Sequence, residues 1–515
     1  MSSAPTSEVP GPAPVRVEDI LTHWATMASG RLAVVGEHRQ WTYSELYAAV
    51  QGAARCLAQA QIRSGDRVVL VCENCCGAVA LYFACTTLGA WPVVLHASLS
   101  EREIDEIAAH SGARRMIFAI GSSARPKSHS AHFRAEIQDI GGIGQISLGP
   151  LNEHTIPEQP EDDPSDRVAA VIYTTGTTGR PKGVMLTHRN LLFVARATSG
   201  ARRLGPEDRV YAVLPISHSL GLTGVLLGSL LQGATVHVPS RFDPQHVLKA
   251  LAHDQVSVMI GTPSMFAMIA EFAQRKGALP ISAPALRLIS SAGAPLDAAT
   301  KATVEVAFGQ SLHNGYGISE CGPSVALTSL DTPRADCAVG RPLPAIEAKL
   351  IGGDDDNVGE LWVRSPGLMK GYYRAPEDIR NAIDADGWFR TGDLARRDKD
   401  GNYFIIGRAK ELIIRFGFNV HPAEIEASLQ GHPAVFRGAV VGRPTGDTED
   451  IVAFVQLADG ATATADQLSD YLGARLASYK RPTEIIIVPD LPVATNGKIL
   501  KAELAHRLTQ SRAAA

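Results

Sequence analysis

The chain has no apolar run long enough to cross a bilayer. The best candidate, Leu220 to Leu231, is short and interrupted by glycines, Thr223 and Ser229, so it reads as a buried helix beside a pocket and not as a membrane span. The N-terminus lacks the basic-then-apolar layout of a secretion signal. Positive charge is not in excess: 49 Lys and Arg face 53 Asp and Glu, a formal net charge of −4, which removes the electrostatic case for a nucleic-acid partner. Cysteine is scarce. Seven is an odd number for a disulfide framework, and although five fall between Cys56 and Cys85, no second Cys or His cluster follows at metal-ligand spacing. Reduced, buried thiols in a cytoplasmic protein are the expectation.

What is present is an ordinary globular composition, 45% hydrophobic and 20% charged over 515 residues, long enough for roughly three or four folding units. Residues 1–16, rich in Ser, Pro and Ala, read as a disordered leader. Thr42 and Glu45 predict a capping box that opens a helix. From there aliphatic strands and helical spacings alternate: Asp66–Cys72, Gly77–Leu88, Pro92–Leu95, Glu101–Ser111, Met116–Phe118, and again from Val210 to Ser290. Such alternation predicts an α/β fold with doubly wound sheets. Beyond about Asp336 short strands and turns predict a small β-barrel. From residue 409 a smaller α+β unit follows, with a helix at Pro422–Gln430. The expected architecture is therefore a large N-terminal domain, 17–408, of two doubly wound sheets plus a small β-barrel, and a mobile C-terminal domain, 409–515.

Between the strand-like Val168–Ile172 and the helical Arg189–Arg196 lies Tyr173-Thr-Thr-Gly-Thr-Thr-Gly-Arg-Pro-Lys-Gly-Val-Met-Leu-Thr-His188. Unhindered backbone N–H groups, several hydroxyls and one cation suit a polyphosphate. The Walker pattern fails, because Lys182 stands between Pro181 and Gly183. A plain Gly/Thr surface loop is the bland alternative.

The segment resembles the phosphate loop of the adenylate-forming superfamily, which includes acyl- and aryl-CoA synthetases, peptide-synthetase adenylation domains and beetle luciferases. Thr175 stands where that family usually has Ser. Further segments match in order. The resemblance implies that Thr174, Thr175, Gly176, Thr177, Thr178, Gly179 and Lys182 bind the phosphates of ATP. In Asn314-Gly-Tyr-Gly-Ile-Ser-Glu320, Tyr316 would flank the adenine, Ser319 contact phosphate and Glu320 hold Mg²⁺. Gly293 and Ala294 of Ser291–Leu296 would line the adenine and acyl pockets. Asp393 of Thr391–Leu394 would accept from the ribose hydroxyls, a role for an ionised carboxylate, and Arg408 would join it. By the same resemblance Lys410 is a hinge, Gly417 borders a pantetheine path and Lys498 is the catalytic lysine of Leu491–Lys501. Read singly, Glu320 is a surface acid, Asp393 a turn residue and Lys498 a solvated charge; order and spacing favour the functional readings.

The implied activity is an ATP-dependent acid–thiol ligation using Mg²⁺ and coenzyme A: acyl-AMP forms first, then a thiol captures the acyl group. Leu214-Pro-Ile-Ser-His-Ser-Leu-Gly221 resembles the segment beside the acyl pocket, with His218 as its gating histidine. Ser217 and His218 stand where amino-acid-activating domains carry an Asp, and Leu220, Leu222, Val225, Met265 and Phe266 favour an apolar acid, aliphatic or aromatic. An acyl carrier protein in place of CoA, a luciferase-like oxygenase and a catalytically dead homologue are the rivals. Monomer and homodimer stay open.

Overall fold

Aliphatic runs with no polar alternation become strands buried on both faces. Arg67–Cys72 is buried at all six positions, and Val258–Gly261 and Leu288–Ser291 at every position. The computed structural model describes residues 13–121, 123–175, 181–352, 358–415, 418–445, 448–494 and 499–513. Most of the leader assigned to residues 1–16 lies outside them.

Two large sheets carry the molecule. In one, six parallel strands run in the order Leu312–Gly317, Leu288–Ser291, Val258–Gly261, Arg209–Tyr211, Thr235–His237, Leu32–Val35, with antiparallel strands at both ends. In the other, Val168–Thr175, Trp91–His96, Arg67–Cys72 and Arg115–Phe118 are parallel and are flanked by antiparallel hairpins. Both sheets are thus mixed, with doubly wound centres. Helix Cys76–Thr87, which lacks a polar stripe, is buried almost all round, while helix Tyr43–Gln59 opens on the expected Thr42–Glu45 capping box.

Among the described residues the expected barrel does not close. Glu347–Ile351, Val358–Arg364, Phe389–Arg397 and Tyr403–Arg408 form an open four-stranded antiparallel sheet; four strands are too few to curl closed. The α+β texture of the last hundred residues is as expected: helices Pro422–Gln430 and Ala465–Gly473 cover a three-stranded sheet with its own core of Ile425, Leu429, Val440, Ala453 and Leu468.

Candidate active site

Thr174 and Lys182 face each other across an antiparallel hairpin of Val168–Thr175 and Pro181–Thr187. This corrects the strand–loop–helix expectation: β-branched residues extend both arms. Gly183 has no side chain where a Cβ would sit 3.0 Å from Val171 and 3.1 Å from the Tyr173 ring. Helix His188–Ala201 starts only after the return strand, capped by Thr187 with Asn190. Gly176, Thr177, Thr178 and Gly179 lie outside the described residues, and Thr175 is described by its backbone alone.

Strand Gly371–Tyr372 adds to the edge of this hairpin, opposite Val184 and Met185. It brings in Tyr372, which sequence reasoning missed. The Tyr372 hydroxyl donates to Glu320 Oε1 at 2.8 Å, and its ring lies 5.1 Å beneath the Lys182 ammonium. Burial and the Glu320 carboxylate push this phenol well above its ordinary range. Lys182 also pairs with Asp378 at 2.7 Å. The Lys182 cation and the Glu320 carboxylate are therefore bridged by one aromatic ring.

Tyr316 ends a parallel strand, and its hydroxyl donates to Asp393 Oδ2. Asp393 is 3% exposed and lies directly opposite Arg408 in the four-stranded sheet, whose Nε is 2.6 Å from Asp393 Oδ1. Thr391 steadies the turn by accepting the Asp393 N–H at 3.0 Å. Burial, then Asp393, raises the Tyr316 phenol far above its usual value, so it stays a donor. Three residues distant in sequence thus converge as phenol, carboxylate and guanidinium.

Ser319 Oγ meets Ser219 Oγ at 2.9 Å, joining the Glu320 turn to the His218 segment. Asn74, also missed, ties the ends of the two sheets together: its amide donates to the carbonyls of Ala212 and Leu214 and accepts from the Ile216 N–H. His218 is half-buried, and burial, aided by His96, pushes it down to about 4. It is a neutral imidazole at pH 7. Gly293 is at φ +84°, and a Cβ there would meet only the Thr262 methyl at 4.0 Å; neighbouring Ala294 is half-buried. Helix Leu220–Leu231 begins as a π-helix, Leu220–Leu227, a winding that often accompanies functional sites. Leu222, Val225 and Phe266 are wholly enclosed in the core; Leu220 is half-buried and Met265 8% exposed.

Lys410 is exposed in the turn Ala409–Glu411. Gly417 and Lys498 lie outside the described residues; on either side of residues 495–498, Val493 and Ile499 form an antiparallel bridge. Glu320 and the Ser319 hydroxyl are hard oxygen donors that fit a magnesium ion arriving on phosphates. All seven cysteines are free thiols, and burial raises Cys76 and Cys85 to about 12, as inert core residues require. No helix among the described residues is long and apolar enough to cross a membrane.

Two mixed α/β sheets, a Thr- and Lys-bearing hairpin and a phenol–carboxylate–guanidinium cluster together define an α/β protein of the nucleotide-handling kind. The model of the AMP-binding enzyme matches residues 21–373, and that of the AMP-binding enzyme C-terminal domain matches residues 424–498. The chain belongs to the AMP-binding enzyme family. It is 33% identical over 503 residues to a feruloyl-CoA synthase of Amycolatopsis sp, covering 96% of this chain and 98% of that one. It is 31% identical to the long-chain-fatty-acid–CoA ligase FadD13 of Mycobacterium tuberculosis, covering 90% and 93%. Among solved structures, o-succinylbenzoate CoA synthetase from Bacillus subtilis, in complex with its acyl-adenylate intermediate, superposes with a TM-score of 0.80 at 28% identity, covering 94% and 97%. The same synthetase in complex with ATP and magnesium ion gives 0.78.

Proposed function

We propose that this chain is an ATP-dependent acid–thiol ligase that converts an apolar carboxylic acid to acyl-AMP, releasing pyrophosphate, and passes the acyl group to coenzyme A, releasing AMP. The observation that carries this reading is the convergence of Tyr316, Asp393 and Arg408 beside Ser319 and Glu320, in a chain that aligns with CoA ligases over nearly its whole length. The Asp393 carboxylate accepts the ribose hydroxyls while Arg408 holds it in place. Tyr316 flanks the adenine beside Gly293 and Ala294. Thr174, Lys182 and Ser319 face the phosphates, and Lys182 exchanges Asp378 for a phosphate oxygen. Glu320 would hold Mg²⁺, which when bound would supply charge neutralisation to the phosphates. Lys498 neutralises charge between the attacking carboxylate and the α-phosphate. His218, neutral at pH 7, gates the acyl site without bringing a charge to it. The unit 409–515 then turns about Lys410 against 17–408, withdraws Lys498 and opens the thiol path beside Gly417.

The acid is aliphatic or aromatic, and both classes belong in the test. A panel of each, supplied with ATP, Mg²⁺ and either CoA or a holo acyl carrier protein, is expected to give AMP and an acyl-CoA thioester. No AMP from any acid would sink the adenylation reading. Thioester formed only on the carrier would replace CoA as acceptor. The free buried thiols support a reducing cytoplasm as the site of action, and light scattering decides between monomer and homodimer.

A further inference from the structure

We infer that Lys501 is a positioning residue that, with Glu411 and Glu426, fastens the chain following Lys498 to the turn at Lys410. This rests on the adenylation reading and assigns a role to a residue that reading does not use. Lys501 begins helix Lys501–Ala513, which is seated on the C-terminal sheet through fully buried Leu504, packed with Ala439, Val441, Val452 and Phe454. Its ammonium lies 3.0 Å from Glu411 Oε2 and 2.8 Å from Glu426 Oε1. Glu411 closes the turn Ala409–Glu411, next to Lys410. Glu426 belongs to helix Pro422–Gln430 and also accepts the Val440 N–H at 2.7 Å. One cation therefore gathers the hinge turn, a helix and, through Glu426, the strand Val435–Thr445 at the edge of the C-terminal sheet.

The surroundings are half-dry, with the three side chains between 18% and 29% exposed. Burial opposes the charge on Lys501, yet the two carboxylates outweigh it and raise its pKa. Spanning the Lys498 segment, the Leu500 N–H donates to the Pro492 carbonyl at 2.8 Å, beside the Val493–Ile499 bridge. Lys501 follows Lys498 by three residues, so both flanks of that segment are anchored, and the Lys501 anchor reaches the hinge turn. Without the ammonium, two partly buried carboxylates would face each other unneutralised. Their separation would move the Glu411 turn or the Glu426 helix relative to the chain bearing Lys498. A displacement of about 1 Å at a charge-stabilising group can cost roughly a hundredfold in rate. Capture of the acyl group by thiol, during which Lys498 is withdrawn, does not need that placement.

The test compares wild type, Lys501→Met and Lys501→Arg in acid-dependent ATP–pyrophosphate exchange, thioester formation from supplied acyl-adenylate, and thermal melting. Lys501→Met is expected to lose at least about tenfold in exchange while thioester formation stays within about threefold of wild type. Lys501→Arg, whose guanidinium can span both carboxylates, is expected to restore exchange to within about threefold. Unimpaired exchange in Lys501→Met, or an equal fall in both half-reactions, would overturn the inference. If Lys501→Met does not fold, Glu426→Gln carries the test: a selective fall in exchange supports the clamp and no fall overturns it. Wild-type protein that catalyses no exchange with any acid overturns the adenylation reading itself, and the clamp with it.

Discussion

Asp393 serves its neighbours in two ways at once, receiving the Tyr316 hydroxyl on one oxygen and the Arg408 guanidinium on the other. Asp393→Asn removes the charge that holds Arg408 and substitutes a donor on one side. It is expected to raise the KM for ATP by about ten- to a hundredfold, since charge-assisted hydrogen bonds are worth about 1.5–3 kcal/mol each; exchange kinetics at varied ATP would measure it. Lys498→Ala is expected to abolish acid-dependent ATP–pyrophosphate exchange yet still convert supplied acyl-AMP to thioester, and unimpaired exchange would refute the role given to Lys498. Residues of this kind are legible in a sequence because their chemistry travels with a short ordered motif. Tyr372, Asn74 and Asp378 were not: their importance comes from partners 52, 138–142 and 196 positions away, and no local pattern records such a meeting.

Elements were read well where hydrophobic period and caps agreed, as in helix Glu101–Ser111 and helix Pro422–Gln430, whose bounds match the expectation. They were misread where tertiary pairing decided. Thr, Val and Met around Lys182 tolerate a loop or a strand, and the hairpin wins because Gly371–Tyr372 supplies an edge partner. The barrel failed because short strands and turns announce antiparallel pairing but not closure. Leu220–Leu231 reads as a buried helix, but nothing in the sequence announces that its first turns, Leu220–Leu227, are π-wound and pass close to Leu214 and Pro215. Gly221 permits that approach: an added Cβ would fall 2.1 Å from the Pro215 carbonyl oxygen and 2.9 Å from that of Leu214. Gly221→Ala is accordingly expected to destabilise the fold by about 3 kcal/mol through overpacking against backbone, visible as a lower denaturant midpoint, and to displace His218 with it.

Acid sensitivity belongs to the molecule as a whole. Burial holds His188 down to about 3 and His218 and His237 down to about 4, against an ordinary value of 6.5. The unfolded chain therefore takes up protons first as pH falls. Stability from these neutral imidazoles is fully present above about pH 6.5 and declines from there to about pH 4 for His218 and His237 and about pH 3 for His188. Urea unfolding from pH 7.5 to 4.5 is expected to show a falling midpoint below about pH 6.5, and a flat profile would contradict it. The division into a large α/β part and a small α+β part was readable from texture alone; the interleaving of the two sheets was not, because register between distant strands leaves no mark in either segment.

That interleaving bears on how the polypeptide is made. Val34 pairs with Val236, and Tyr372 pairs with Val184, so a nascent chain emerging from the ribosome holds its first hairpin without its neighbour for roughly 200 residues. At elongation rates of about 5–20 residues per second, that is ten seconds or more of unsatisfied strand edges. Synthesis of this enzyme thus leaves a long window in which a holding chaperone has something to grip.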